Sequence, residues 1–416
     1  MVAETTAAEN TLTGWRAAWV WGIGTALAHR LFLTLWMGVV WGIVGANLGD
    51  ARIDFHTASA QLPTLSSPAE QSIFGVWRRW DAVHYLDLAY NGYRIENPGA
   101  SVFSMLTPFT FRAVDAVLPG SIDLAALVVE TVAFSITLAL LYRVVEKVYR
   151  DETLARWSVV LLALMPVSYF FAAPMSESIH LALVLAFFYF ALVDRWALAG
   201  IMGVLATLAR SQGVFLMGVG GLLILERYGL PPREWLGVYL RPVIRRGVWL
   251  LIIPLGVLIF FAYRASLNLP PLDEIYARYS YAFFVNPIQA MIINIQWIAA
   301  NPSQALVNAD MWALFVCIGL IGLMLVFPRH RRPAMIFYVV VNLAFQITKI
   351  NYAWGTDVVM FSQSVARYSL LLFPLTVLIA DWFRSTSKWG RIIGMLIMVF
   401  GMVSFSALYV LALTGP

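Results

Sequence analysis

Charge is what this sequence has least of. Asp, Glu, Lys and Arg make up 12% of its 416 residues, about half the roughly 25% of a soluble domain. Hydrophobic residues make up 61%, and the mean hydropathy is +0.77. So few charges cannot coat a water-soluble surface of this size, and the chain reads as an all-α polytopic membrane protein. Cysteine is almost absent as well. The single Cys317 excludes an intrachain disulfide and a cysteine metal site, and it leaves the redox compartment unreadable. The N-terminal MVAETTAAENTLTGW lacks the basic stretch and short apolar core of a cleaved signal peptide, so the first apolar segment is expected to stay as a helix. A net charge of +5 does not call for nucleic acid, because in a membrane protein excess Lys and Arg first set orientation.

Several chemical signatures are missing too. There is no Asp-x-Asp pair, and His29, His56, His84, His180 and His330 are scattered without His-x-x-x-His spacing, so no strong metal site is visible. Neither a Gly-x-x-x-x-Gly-Lys-Ser/Thr loop nor a Gly-x-Ser-x-Gly elbow occurs, which leaves nucleotide hydrolysis and serine hydrolase chemistry unsupported.

What is abundant is apolar runs. A spanning helix needs ~20 mostly apolar residues, and candidate runs are 17–46, 124–145, 154–172, 177–193, 248–266, 311–327, 334–349, 364–381 and 392–413. The stretch 197–225 is too long for one untilted span and is interrupted by Arg210, Ser211, Gln212 and Gly213. The loops carrying Lys147, Arg150 and Arg156, then Arg195, then Arg227, Arg233, Arg241, Arg245 and Arg246, then Arg329, Arg331 and Arg332, then Arg384, Lys388 and Arg391 belong on the cytoplasmic side. They share that side only if 197–225 is a hairpin of two short helices with Arg210 at its outward tip. This gives about 11 membrane helices, with the N-terminus inside and the C-terminus outside. The default is a single domain over 1–416, with a first outer loop over 47–123 and a second over 268–310. Within the first, SMLTPFTFRAVDAVLPG reads as a helix lying in the interface.

That topology sorts the conspicuous polar residues onto one side: Asp81 and His84 in the first outer loop, Glu177 at the start of a span, Arg210 at the hairpin tip, and Lys349 and Arg367 at outer helix ends. If RRWDAVHYLDLAY is helical, Asp81, His84, Tyr85 and Leu88 share one face. A lone carboxylate there suits a general base, whereas an interfacial helix anchored by Trp77, Trp80, Tyr85 and Tyr93 is the plainer alternative. Ser176 and Glu177 fit an N-cap and a first-turn acid equally well. His180 reads as packed in the interior. Arg210 fits a charge partner or a phosphate as well as snorkelling to the interface, and snorkelling also accounts for Lys349 and Arg367.

The residues RWDAVHYLDLAYNGY, followed by VFSMLTPF, resemble the PIG-V mannosyltransferases (GPI mannosyltransferase II). LMPVSYFFAAPMSES, LATLARSQGVFL and, more weakly, SVARYSLLLFPL are similar to further segments of that family in the same order. The resemblance implies a GT-C glycosyltransferase fold, a polyprenyl-phosphate mannose donor, no metal, and an extracytoplasmic site in what reads as a prokaryotic cell membrane. Its motifs, carried over, imply Asp81 as the catalytic base and place Ser176, Glu177, Arg210 and Ser211 in the site; for a lipid-phosphate donor the chemistry then makes His84 and Glu177 candidate acceptor or base-orienting groups, and Arg210, Arg367 and Lys349 candidates for the donor phosphate. Trp80, Tyr85, Ser176, Ser211 and Gln212 are supporting residues. The expected substrates are a membrane lipid donor and a glycan or glycolipid acceptor. Gln212 stands where the family has Asn, and VFSMLTP replaces an aromatic-Pro stretch, which puts acceptor contacts there in doubt. Alternatives are another GT-C enzyme with a different sugar or acceptor, or a transporter or lipid flippase. Against the latter, the charges gather at one side instead of the midplane.

Overall fold

The computed structural model describes residues 2–45, 61–229, 236–279, 281–353 and 356–411. The expectations concerning His56 and the rest of 47–60, Arg233 and the C-terminal 412–416 lie outside the described residues. The helices are α1 (Val2–Ile43), α2 (Pro68–Ile73), α3 (Asp81–Asn91), α4 (Leu106–Asp115), α5 (Ile122–Tyr149), α6 (Glu152–Leu164), α7 (Glu177–Leu192), α8 (Trp196–Ala209), α9 (Leu216–Tyr228) and α10 (Leu236–Gly247). They continue as α11 (Leu255–Ser266), α12 (Leu272–Tyr279), α13 (Pro287–Ala300), α14 (Pro302–Val307), α15 (Ala309–Val326), α16 (Pro333–Ile347), α17 (Val365–Ser369), α18 (Phe373–Ser385) and α19 (Lys388–Val410). Two short strands, β1 (Ala282–Phe284) and β2 (Lys349–Asn351), pair antiparallel with Ala282 opposite Asn351.

Local sequence explains where these helices begin. Ser67 and Glu70 form a reciprocal capping box on α2, and Ser121, Asp151, Asn286, Asn308 and Ser387 each accept a backbone N–H at the start of a helix. Among the described residues, Gly14–Ile43, Ile122–Tyr149, Leu240–Ser266, Ala309–Val326 and Lys388–Val410 are long and apolar enough to cross a membrane. Leu251, Val326 and Phe400 are about 70% exposed on them, which suits a surface facing lipid tails and not water. The protein is an integral membrane protein. α5 is its centre, packed between α1 and α7. Gly22 lets α1 approach closely, since a Cβ there would lie 2.8 Å from the Ala139 nitrogen.

Several expected spans are broken. The run 154–172 is the 13-residue α6 followed by a 3-10 turn over Ser168–Phe171, and 364–381 is divided into α17 and α18. The second outer segment contains α13, an apolar helix of 14 residues, too short to have been counted as a span. The hairpin over 197–225 is present as α8, a turn over Ser211–Phe215, and α9. Both of its ends come back to one level, because Asp194 before α8 pairs with Arg227 at the end of α9, and Arg246 bonds Asp194 at 2.6 Å while lying over Tyr228.

The charges therefore collect at two ends. α7, with 16 residues, spans about 24 Å from Glu177 to the Asp194 turn. At that far end Asp151, Arg329, Asp381 and Arg384 form a network with contacts of 2.5 to 3.1 Å, joined by His330. Burial lowers the pKa of His330, against the pull of Asp381, so the ring stays neutral.

Candidate active site

The opposite end carries Asp81, Glu177, Arg210 and Arg367. Asp81 is the first residue of α3, where a carboxylate meets the positive end of the helix dipole. Trp80 before it has φ 52° and ψ −133°, a conformation disfavoured for a non-glycine residue, and its carbonyl accepts from the Val83 N–H. That sharp entry turns the chain from the Arg78–Asp123 ion pair, 2.6 Å, directly into the helix. As expected, α3 places Asp81, His84, Tyr85 and Leu88 at helical spacing.

The four charges form an alternating chain. Arg367, 2% exposed on the short α17, pairs through Nη1 with Asp81 and donates through Nε to Glu177 Oε1 at 2.7 Å. Glu177, fully buried at the start of α7, also accepts from Arg210 Nη1 at 2.9 Å. Arg210 Nη1 donates to Ser176 Oγ at 2.9 Å, and that oxygen accepts from the Tyr85 hydroxyl at 2.9 Å. The guanidinium of Arg210 lies 4.2 Å over the Tyr368 ring, and that of Arg367 lies 5.4 Å from Tyr368 and 5.0 Å from Phe170. Ions taken this far from water persist only when paired, and here two cations and two anions alternate.

The pairing decides the state of Asp81. Burial pushes its pKa up, but Arg367 beside it, with help from His84 and Lys349, pulls harder, and the carboxyl is held below its ordinary range. The gain in basicity that burial alone would give Asp81 is therefore overridden while Arg367 is in contact. Among the described residues His84 makes no hydrogen bond to Asp81. Its ring stacks on Phe103 at 5.4 Å, its Nδ1 is buried without a hydrogen-bond partner among the described residues, and burial lowers its pKa, so it is neutral.

The other expected residues divide. Ser176 occupies the N-cap position of α7 but makes no capping bond; its hydroxyl serves Arg210 and Tyr85 instead. Lys349 lies on β2, its ammonium 5.6 Å from the Tyr276 ring, and among the described residues it has no carboxylate within salt-bridge distance. Gln212 is buried and lines a narrow crevice with Tyr368, whereas Ser211 is exposed and makes none of the site's contacts. Glu177 and His180 stand in Glu-x-x-His spacing, which a survey of isolated histidines passes over. His180 Nδ1 sits 3.1 Å from the Ala206 carbonyl, a packed histidine as expected. Among the described residues no three His, Cys, Asp or Glu side chains converge as a metal site would require.

Gly213 closes the hairpin tip that carries Arg210. A Cβ there would lie 2.4 Å from the Thr207 nitrogen, so the tip folds back onto α8 without room for a side chain. Beside the charges, α13, α15 and α16 enclose an apolar groove of about 520 Å³ lined by Ile288, Met291, Leu314, Ile318 and Leu343 among others. Leu343 also lines the crevice that holds Gln212 and Tyr368, so groove and crevice share a wall, and Tyr368 carries the guanidinium of Arg210 over its ring. Sequence reasoning missed Tyr368 and the groove. The only signal for Tyr368 was its place beside Arg367 in SVARYSLLLFPL.

A buried carboxylate–arginine chain thus stands at one end of a helical integral membrane protein. Residues 33–228 match the mannosyltransferase (PIG-V) family model, in agreement with the resemblance in the sequence. The match includes Asp81, Glu177 and Arg210 and ends before Lys349 and Arg367.

Among curated relatives, GPI mannosyltransferase 2 of Schizosaccharomyces pombe is 27% identical over 151 residues, 35% of this chain and 31% of that protein. GPI mannosyltransferase 2 of Cryptococcus neoformans is 31% identical over 202 residues, 46% of this chain and 43% of that protein. The aligned chain thus spans less than half the length of these relatives. Among solved structures, the archaeal oligosaccharyltransferase AglB of Archaeoglobus fulgidus, in complex with an inhibitory peptide and a dolichol-phosphate, aligns at 9% identity and a TM-score of 0.42 over 93% of this chain and 56% of that one.

Proposed function

We propose that the chain is a membrane glycosyltransferase of GT-C type that moves mannose from polyprenyl-phosphate mannose to a glycan or glycolipid hydroxyl on the extracytoplasmic side. The observation that carries this reading is the chain Asp81–Arg367–Glu177–Arg210 beside an apolar groove. A lipid phosphate needs both an apolar channel for its tail and cations at the mouth of that channel, and the match to the mannosyltransferase family supports the choice of sugar.

In the proposed reaction the acceptor oxygen attacks the anomeric carbon. Its proton passes to Asp81, and the bond from that carbon to the phosphate oxygen breaks on the opposite face, with inversion. The donor is a phosphodiester with one negative charge, and the departing polyprenyl phosphate carries a second. The four-member chain is neutral as it stands, with two carboxylates and two guanidiniums. Lys349, without a carboxylate partner among the described residues, supplies the cation that draws the donor phosphate in. Arg367 and Arg210 then share their donors with the phosphate, and bidentate charge-assisted bonds stabilise the leaving group without requiring a metal. When Arg367 turns part of its charge to the phosphate, Asp81 recovers the basicity that the ion pair withholds. His84, whose buried Nδ1 has no hydrogen-bond partner among the described residues, is the group proposed to accept from the acceptor sugar.

The test is transfer by purified, reconstituted protein from polyprenyl-phosphate mannose to a panel of lipid-linked and free glycan acceptors, with the anomeric configuration of the product read by NMR. Transfer with inversion is expected. No transfer from any polyprenyl-phosphate donor to any acceptor would favour a passage for lipid or solute instead.

A further inference from the structure

The helix that carries Arg367 does not hold its own position. α17 has five residues, Val365–Ser369, and Ser364 before it takes a left-handed φ of 65°. Polar side chains from three other helices fix this segment. Asn294 of α13 donates to Ser362 Oγ and accepts from the Ser362 N–H, both at 2.9 Å. Gln346 of α16 donates to the Gln363 carbonyl at 3.2 Å. Asp310, in the first turn of α15, accepts the Ser364 N–H at 3.0 Å and the Ala366 N–H at 2.8 Å.

Asp310 is the charged member of this clamp. Each of its oxygens takes a backbone N–H that a helix start leaves unsatisfied, so it caps α17 from a different helix. The Ala366 N–H it accepts adjoins Arg367 in the chain, and among the described residues Asp310 shares no hydrogen bond or ion pair with Arg367's partners Asp81 and Glu177.

We propose that Asp310 is the positioning residue for the donor phosphate, acting through Arg367. The proposal rests on the reading of Arg367 as a phosphate ligand. The same three helices, α13, α15 and α16, line the apolar groove. A polyprenyl tail in that groove would press on the helices whose side chains set Arg367, so tail and head of the donor are recognised in one register.

The experiment compares wild type, Asp310→Ala, Asp310→Asn, Arg367→Ala and the Asp310→Ala/Arg367→Ala double variant. Two readouts are taken: steady-state transfer, and thermal stabilisation by polyprenyl phosphate, the leaving group. Losing two hydrogen bonds to a carboxylate should raise the donor KM and the Kd for polyprenyl phosphate about tenfold in Asp310→Ala and lower kcat with them, with the acceptor KM changed less than about threefold. Asp310→Asn keeps one acceptor oxygen and should fall between, and it carries the comparison if the alanine variant does not fold. In the Arg367→Ala background, Asp310→Ala should add nothing.

An unchanged donor KM and Kd in both Asp310 variants would overturn the proposal, as would effects that multiply in the double variant. If wild type binds polyprenyl phosphate with this dependence but transfers no sugar, Asp310's role stands and the transferase reading falls.

Discussion

Replacing Arg367 with glutamine removes the cation from the middle of the charge chain. Glu177 loses a 2.7 Å charge-assisted bond, Asp81 loses its ion pair, and both carboxylates remain. An opposite charge at contact favours the ionised carboxylate, so removing it should raise the Asp81 pKa. The sign is fixed by the base role, since Asp81 must be ionised to accept a proton. In wild type the acid limb of kcat/KM lies below the ordinary aspartate range, and in Arg367→Gln it should move upward. Stability follows the same logic. The depressed Asp81 contributes stability that is complete above its unfolded pKa and is lost as pH falls through the lower native value, and the variant forfeits that contribution. The assay is initial-rate mannose transfer from about pH 4 to pH 9 at subsaturating acceptor. An acid limb in the variant that stays in place or moves down would refute the argument, whatever the height of the profile.

Two further outcomes follow from the same geometry. Glu177→Leu leaves two buried guanidiniums without their shared anion and should cost about 3–5 kcal/mol, read as a large fall in thermal midpoint in detergent, while Glu177→Gln retains an acceptor and should lose less. Gly213→Ala forces a Cβ to within 2.4 Å of α8 backbone at the hairpin tip, so it should destabilise by about 1–3 kcal/mol and weaken donor binding by displacing Arg210.

Much of this arrangement was legible in the sequence where the signal is local. Run length and the placement of Lys and Arg gave the long helices and the hairpin, because a bilayer fixes element length and interrupted apolar runs are rare. The i, i+3, i+4, i+7 face of α3 followed from helical periodicity alone. The ion pairs were not legible, since Arg367 lies 190 residues from Glu177 and 286 from Asp81, and no periodicity reports contacts that remote. Arginines expected at a phosphate are instead engaged by carboxylates, and the effect that burial alone would have on Asp81 is reversed by one such contact. Asp310 was hidden for another reason: an acid in the first turn of a helix is indistinguishable in sequence from one that merely complements the dipole.

The central claim is that Asp81 removes the acceptor proton while the arginines hold the lipid phosphate. Asp81→Asn tests it most directly, because an amide oxygen still accepts from Arg367 but cannot act as a base. The measurement is kcat for mannose transfer at saturating donor, alongside the Kd for polyprenyl phosphate. The account predicts that kcat falls about 10²–10⁴-fold with the Kd changed little. A kcat within a few fold of wild type would contradict it.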